Sequence, residues 1–203
     1  MIPEVKWGKA PRLLVAIVSL SAGLAHAASG VWNGASDGYW TNSLNWSASP
    51  YPSSGETATF NNAGNGRTGI DVAGLPIIKN ITFTSADAAA YTVGAGGARA
   101  QTLVMEDAGV IKLDASAANS QVINANLQLG TNRANMTLQL QNDSTAHTLT
   151  VAGDLLFPQN GLWISGIKYV NLYGAGETRL LGSWLRFDTG ILTCFGCGKL
   201  ALP

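Results

Sequence analysis

The sequence predicts an all-β fold, and a solenoid of stacked parallel strands fits its pattern better than the alternative, a β-sandwich of hairpins. From residue 77 onward, apolar residues recur in pairs separated by one residue, about every ten residues. This period of two is typical of strands with one buried face. The connections between the pairs are small and polar, and the tight Asn-Gly and Asp-Gly turns of hairpins are scarce there. Helix signals are almost absent after residue 27.

Residues 1–27 predict a secretory signal peptide. Basic residues precede an apolar run over 13–24, and Ala25 and Ala27 are the small residues that a signal peptidase accepts. The run is shorter than the roughly 20 apolar residues that a membrane-spanning helix needs. Cleavage after Ala27 is therefore expected, with no membrane span in the mature chain. Export would place the protein in the medium or at the cell surface, with the periplasm as the alternative.

The charge balance excludes one class of partner and limits the chemistry. The chain has 12 Lys and Arg residues and 12 Asp and Glu residues, so its formal net charge is zero. Its basic residues are scattered singly, and binding to nucleic acid depends on clustered positive charge. Once residues 1–27 are removed, His147 is the one remaining histidine. Mechanisms that need two imidazoles are thereby excluded.

Residues 28–76 form a region rich in glycine, asparagine, serine and aromatic residues, which predicts short strands joined by turns. Trp32, Tyr39, Trp40 and Trp46 have two interpretations. They cap the open first coil of the solenoid, since the ends of such stacks must be shielded, or they form a platform on which sugar rings stack.

The solenoid repeats are expected over residues 77–190, followed by a short tail at 191–203. Eight alternating apolar pairs mark the predicted strands: Ile81/Phe83, Tyr91/Val93, Leu103/Met105, Ile111/Leu113, Leu127/Leu129, Leu138/Leu140, Leu149/Val151 and Val170/Leu172. The open end of the stack is expected near residues 170–182. Exposed strand edges recruit other chains, so self-association through this C-terminal end is predicted.

Two parts of the chain carry a more specific pattern. Trp32-Asn-Gly is followed by Trp-Thr-Asn-Ser-Leu-Asn-Trp over 40–46, and then by Gly-Glu-Thr-Ala-Thr-Phe over 55–60. Further along, residues 172–182 contain Gly-x-Gly-x-x-x-Leu-x-Gly. The chain thus resembles bacterial autotransporter-associated β-strand repeat proteins, in their N-terminal, passenger-type part. The resemblance implies a right-handed parallel β-helix that is exported and generally has no catalytic site.

Two short motifs invite a chemical interpretation. Gly64-Asn-Gly-Arg-Thr-Gly69 matches a dinucleotide-binding string, but no helical pattern follows it, so a turn is predicted. Cys194 and Cys197 predict a local disulfide in an exported protein, with an intermolecular link, a redox pair or half of a zinc site as alternatives.

The remaining candidates are polar side chains near strands. His147 follows Ser144 and Asp143 too closely for the three groups to surround one carbonyl as a triad. Glu106 and Asp107 would point to opposite faces of a shared strand. A solvated turn is therefore favoured over a calcium or polysaccharide site near Lys112 and Asp114.

These observations predict an exported, non-enzymatic β-solenoid that serves as a passenger-like structural or adhesive module at the cell surface or in the medium. No catalytic, cofactor-binding or metal-binding residue is predicted. The expected partners are polysaccharides or surface glycans and further copies of the chain. The alternative is a β-helix module that binds or cleaves polysaccharide.

Overall fold

A computed structural model of the chain describes residues 28–75, 77–131, 135–157, 167–182 and 190–202. The predicted signal peptide at 1–27 lies outside the described residues. Within these ranges the fold is all-β, as predicted, with two single-turn 3₁₀ helices at Ser43–Asn45 and Gly64–Gly66. No helix in these ranges has the length and apolar character needed to cross a bilayer.

Fifteen strands occur in the described residues. They are β1 (Gly30–Val31), β2 (Thr57–Phe60), β3 (Gly69–Ile70), β4 (Ile78–Phe83), β5 (Thr92–Val93), β6 (Thr102–Leu113), β7 (Gln121–Ile123), β8 (Asn126–Leu129), β9 (Met136–Asn142), β10 (Leu149–Val151), β11 (Leu155–Leu156), β12 (Lys168–Tyr173), β13 (Glu177–Leu180), β14 (Gly190–Phe195) and β15 (Lys199–Ala201).

The strands form two parallel sheets. One follows the order β1-β2-β4-β6-β9-β12-β14, with β8 paired to the first part of β6 and β11 paired to β8. The other follows β3-β5-β7-β10-β13-β15. Paired residues are 22 to 32 positions apart along the chain. Every pairing between these named strands is parallel, so the alternative of a sandwich built from hairpins is wrong.

The apolar pairs predicted from the sequence form the core. All sixteen of their residues are buried. The register aligns these residues in columns: Ile81 pairs with Ile111, which pairs with Leu140, which pairs with Leu172. A column in the second sheet contains Ile70, Val93, Ile123, Val151 and Leu180. Each sheet therefore buries one face along these paired strands.

Glycines occupy several positions where two connections between strands approach each other closely. A Cβ added to Gly153 would lie well under 3.0 Å from the carbonyl oxygen of Ala125, and one on Gly182 would meet the carbonyl of Gly153 in the same way. At another corner, Gly174 and Gly176 crowd the backbone of residues 142–144. The glycines of the Gly-x-Gly-x-x-x-Leu-x-Gly pattern are thus positions where no side chain fits.

Strand β6 contains a large bulge. Met105 pairs with Ile78 and Val110 pairs with Asn80, so residues 106–109 lie opposite a single residue of β4. Ala108 has a positive φ of 55°. The first part of β6 pairs with β8 and the second part pairs with β9. The bulge therefore turns the strand from one partner to another.

The segment predicted as a tail belongs to the sheets. β14 pairs with β12 over six residues, and β15 pairs with β13 over three. The prediction of an open end near residues 170–182 is therefore wrong, because β14 and β15 extend the two sheets beyond these residues. Leu192 and Leu200 of these strands pack against the core.

Candidate functional site

The three tryptophans of the N-terminal region form one buried cluster. Trp46 packs against Trp32 and Trp40 with ring centroids 5.1 and 4.8 Å apart. Phe60 lies 5.8 Å from Trp46 and 4.8 Å from Tyr91, which joins the cluster to the stack. Aromatic rings at these distances and inclinations attract one another beyond the area that they bury.

The cluster leaves no ring face for a sugar. Trp32 and Trp40 are 0% exposed and Trp46 is 5% exposed. Their indole N–H groups donate to the backbone carbonyls of Arg67 (3.1 Å), Pro52 (2.8 Å) and Trp40 (2.7 Å), respectively. Stacking on glycans needs accessible rings, so the glycan-platform interpretation of these three residues is corrected.

Tyr39 is the exception in this region. It is 53% exposed, and its hydroxyphenyl ring lies outside the cluster. Leu44, on the single-turn helix Ser43–Asn45, is also exposed. These two are the exposed large apolar side chains among residues 28–75.

The aromatic region also covers the outer edges of the first strands. Val31 of β1 accepts a hydrogen bond from the backbone N–H of Ser47 (2.9 Å), and its own N–H donates to the Ser47 hydroxyl (2.8 Å). Beside β3, the Trp40 N–H donates to the carbonyl of Asp71, whose N–H donates to the Gly38 carbonyl, both at 2.8 Å. Backbone groups at the outer edges beside β1 and β3 are therefore paired within the aromatic region.

A polar network fixes the turn that carries the tryptophans. Asn45 is fully buried, accepts from the N–H groups of Ser36 and Asp37, and donates to the Asp37 carboxylate at 2.6 Å. Asn42 donates to the other oxygen of that carboxylate at 2.7 Å. Hydrogen bonds from Asn42 and Asn45 lower the pKa of Asp37, because they favour the charged form. The two asparagines of the Trp-Thr-Asn-Ser-Leu-Asn-Trp string thus hold this loop in place.

The bulge in β6 brings Glu106 and Asp107 to one cleft of about 220 Å³. Glu106 accepts from the Gly55 N–H at 2.9 Å and from the Ser54 hydroxyl. Asp107 accepts from the N–H groups of Ala108 and Thr137, both at 2.9 Å. The prediction that the two carboxylates face opposite sides is wrong, because the bulge interrupts the alternation of the strand.

Lys168, at the start of β12, is buried near this cleft. It is 3% exposed, and burial lowers the pKa of its ammonium group, while the charge of Asp107 opposes that shift. The carboxylate of Glu106 binds the loop before β2, and that of Asp107 binds the start of β9. Among the described residues, no group of three His, Cys, Asp or Glu side chains is placed to hold a metal ion.

Lys112 and Asp114 lie in a different cluster, near the end of β6. Lys112 forms ion pairs with Asp114 at 3.0 Å and with Asp143 at 3.1 Å. Hydrogen bonds from the Ser116 backbone and from Lys112 lower the pKa of Asp114 to about 2. This arrangement links the turns after β6 and β9.

The lowered pKa of Asp114 predicts a stability change in acid. The ionised carboxylate of Asp114 contributes to the free energy of unfolding. This contribution is fully present above the ordinary pKa of 3.8 and is lost as the pH falls through the lowered pKa of about 2. Asp114→Asn should therefore lower the free energy of unfolding by about 1 kcal/mol at pH 7. At pH 2 the variant and the parent chain should be nearly equal. Urea unfolding at both pH values tests this, and an equal deficit at both would contradict it.

The remaining motifs have structural roles. Gly64–Gly66 is a single-turn 3₁₀ helix, so the predicted turn is present. The next element is the strand β3, whereas a dinucleotide-binding string would be followed by an α-helix. Cys194 and Cys197 are joined in a disulfide at the end of β14. His147 contacts the Ser144 hydroxyl through its backbone N–H at 3.2 Å. This hydrogen bond does not involve the imidazole.

Buried amide side chains are the polar features that the sequence did not reveal. Gln121 donates to the carbonyls of Ala89 and Asn119 and accepts from the Tyr91 N–H. Asn142 donates to the carbonyls of His147 and Glu177. Both residues lie at inward-facing positions of strands. The alternation of buried and outward positions was the one sequence signal that could have indicated their burial. These amides satisfy backbone groups that the turns leave unpaired.

Comparison with known proteins found no matching family model, no similar curated protein and no similar solved structure.

Proposed function

We propose that the protein is an exported, non-enzymatic β-solenoid of the right-handed parallel type, which serves outside the cytoplasm as a structural or adhesive module. In this proposal it is similar to the passenger part of autotransporter-associated β-strand repeat proteins. The observation that carries the proposal is the regular register of parallel strands, in which residues of the two sheets repeat every 22 to 32 positions. Such a repeat is what one coil of a solenoid provides.

The corners of the stack support the solenoid interpretation. Gly153 and Gly182 each approach the backbone of the connection 28 or 29 residues earlier, at Ala125 and Gly153. Close approach at equivalent corners is expected when coils lie directly on one another. The continuous apolar columns within both sheets are the interior that such coils would share.

The locations of the polar side chains support a structural rather than a catalytic role. The carboxylates of Glu106 and Asp107 accept hydrogen bonds from backbone N–H groups, and Lys112 is held between two aspartates. The carbohydrate-binding alternative relied mainly on exposed aromatic rings, and the three tryptophans are buried. A rigid stack with a closed N-terminal end is suited to spacing or attachment at a surface.

Export is supported by the leader sequence and by the disulfide. Disulfides persist in oxidising compartments outside the cytoplasm, and Cys194 and Cys197 are joined in the structure. The basic segment, the apolar run over 13–24 and the Ala-His-Ala string at 25–27 are the three parts of a secretory signal.

Export predicts a defined new N-terminus. When the full chain is expressed in a Gram-negative bacterium, the exported protein is expected to begin at Ala28, as N-terminal sequencing would show. The matched variant Ala25→Phe/Ala27→Phe keeps the charge and the apolar run but should remain uncleaved, because the peptidase accepts small residues there. Retention of the parent chain in the cytoplasm with residues 1–27 attached would overturn the proposal.

A further inference from the structure

We infer that the outward face of β9 and β12 binds an extended, uncharged polysaccharide. This inference deepens the adhesive role proposed above and rests on that proposal for its biological setting. The face is separate from the tryptophan cluster of the N-terminal region. It consists of two rows of three side chains, which are Thr137, Gln139 and Gln141 on β9 and Tyr169, Asn171 and Tyr173 on β12.

Strand alternation places these six side chains on one side of the sheet. Each is partly exposed, and the residues between them on both strands are buried. The register sets the two rows side by side, with Thr137 opposite Tyr169, Gln139 opposite Asn171 and Gln141 opposite Tyr173. Neighbouring strands lie about 4.8 Å apart, so the six side chains form one continuous patch.

The two amides at the centre of this face are available to a ligand. Within the described residues, the side chains of Gln139 and Asn171 form no hydrogen bond with another protein group. The buried amides behave differently, since Gln121 and Asn142 each donate to two backbone carbonyls. An amide group carries two donors and an acceptor. Two adjacent free amides can therefore pair with the hydroxyl groups of a sugar.

Two tyrosines flank Asn171 on the same side of β12. A tyrosine presents an apolar ring and a hydroxyl group, and a sugar likewise combines C–H surfaces with hydroxyl groups. The ring of Phe195 stacks on that of Tyr173, with centroids 5.1 Å apart and an interplanar angle of 12°. This contact holds Tyr173 in place, so less conformational freedom is lost when a ligand binds.

The charges at the borders of the face favour a neutral ligand. None of its six residues is charged. At one border, Lys112 is held between Asp114 and Asp143 at 3.0 and 3.1 Å. At the other border, the Asp107 carboxylate accepts a hydrogen bond from the backbone N–H of Thr137. An acidic polysaccharide would meet these carboxylates, whereas a neutral one would pair with the amides without desolvating a charge.

The length of the outward columns favours a chain of sugars over a single sugar. The register continues the columns of Asn171 and Tyr173 through β9, β6 and β4 to β2. The outward side chains on β2 and β4 are again uncharged, namely Thr57, Thr59, Asn80 and Thr82. From β2 to β12 the columns span roughly 19 Å, at about 4.8 Å per strand. An extended oligosaccharide can follow them across several strands.

Isothermal titration calorimetry with defined hexasaccharides tests the inference on the purified chain. The neutral probes are cellohexaose, xylohexaose and mannohexaose, and hexagalacturonate is the acidic comparison. At least one neutral hexasaccharide is expected to bind, and hexagalacturonate is not. The double variant Gln139→Ala/Asn171→Ala should raise the Kd of the bound hexasaccharide at least about tenfold, because it removes the hydrogen bonds of two amides.

Asn124→Ala is the matched control for the double variant. The side-chain amide of Asn124 also lacks a hydrogen-bond partner among the described residues, but it lies between β7 and β8, outside this face. Its replacement should leave the Kd within about twofold of the parent value. Far-UV circular dichroism shows whether each variant is folded.

The inference is overturned if no neutral hexasaccharide binds, if hexagalacturonate binds more tightly, or if the folded double variant keeps the parent Kd. It is also overturned if sedimentation velocity shows a dimer that the double variant abolishes, because the face would then bind a second copy of the chain. Each of these results leaves the proposed export intact, since N-terminal sequencing of the exported protein tests that separately.

Discussion

Replacing Trp40 by alanine is expected to lower the free energy of unfolding by about 3–5 kcal/mol, the range found for large aromatic residues in cores. Trp40 is fully buried, and its ring centroid lies 4.8 Å from that of Trp46 and 5.9 Å from that of Phe60. The alanine would leave a cavity between these rings. It would also remove the donor that pairs with the Pro52 carbonyl at 2.8 Å. Urea unfolding followed by far-UV circular dichroism measures the change.

The neighbouring residue provides the control for this prediction. Tyr39 is 53% exposed and lies outside the ring cluster, so Tyr39→Ala should change the free energy of unfolding by no more than about 0.5 kcal/mol. Trp40→Phe keeps an aromatic ring but loses the indole N–H, and its effect should lie between the two. If Trp40→Ala were as stable as Tyr39→Ala, the cluster would not be a core.

Gly153→Ala is expected to destabilise the fold by about 3 kcal/mol or more, a large effect for one methyl group. Its Cβ would lie well under 3.0 Å from the carbonyl of Ala125 and from the N–H nitrogen of Asn126. Both obstacles are backbone atoms, so no side-chain rotation relieves the clash. The connections of neighbouring repeats would have to separate. The midpoint and slope of urea unfolding report this change.

Gly69→Ala is the matched control for the glycine prediction. Gly69 lies in β3, has no atom within 4 Å of an added Cβ, and does not have a left-handed backbone conformation. Alanine there restricts the unfolded chain and creates no clash, so stability should be unchanged or slightly increased, by up to about 1 kcal/mol. Equal effects of the two substitutions on the free energy of unfolding would show that the close backbone approach at Gly153 does not exclude a side chain there.

The core could be predicted because burial and strand geometry impose the same period. A strand directs alternate side chains to one face, and in this chain the alternate residues are apolar, as in Leu138 and Leu140. The same spacing is present at Leu192 and Cys194 of β14. That strand was not predicted, because the cysteine pair indicated a small loop. In the structure, β14 contains Cys194, and the disulfide to Cys197 closes the loop that follows the strand.

The polar contacts could not be predicted, because they depend on residues far apart in the sequence. The Glu106 carboxylate binds the turn at residues 54–55, and Asp107 binds β9 at Thr137. Nothing in the local sequence of Glu106 and Asp107 indicates a four-residue bulge opposite β4. The buried amide of Asn142 likewise donates to the Glu177 carbonyl of β13, 35 residues further along the chain.

The closed N-terminal end gives assembly of the fold a direction. Each strand needs a partner 22 to 32 residues away, and the first strands are the ones whose outer edges the aromatic region already satisfies. During synthesis the N-terminal segments emerge first, so we expect the ring cluster to form before the later strands. Every new strand can then add to an edge that is already ordered. The tryptophan cluster would then determine that the strands fold in order from the N-terminal to the C-terminal end.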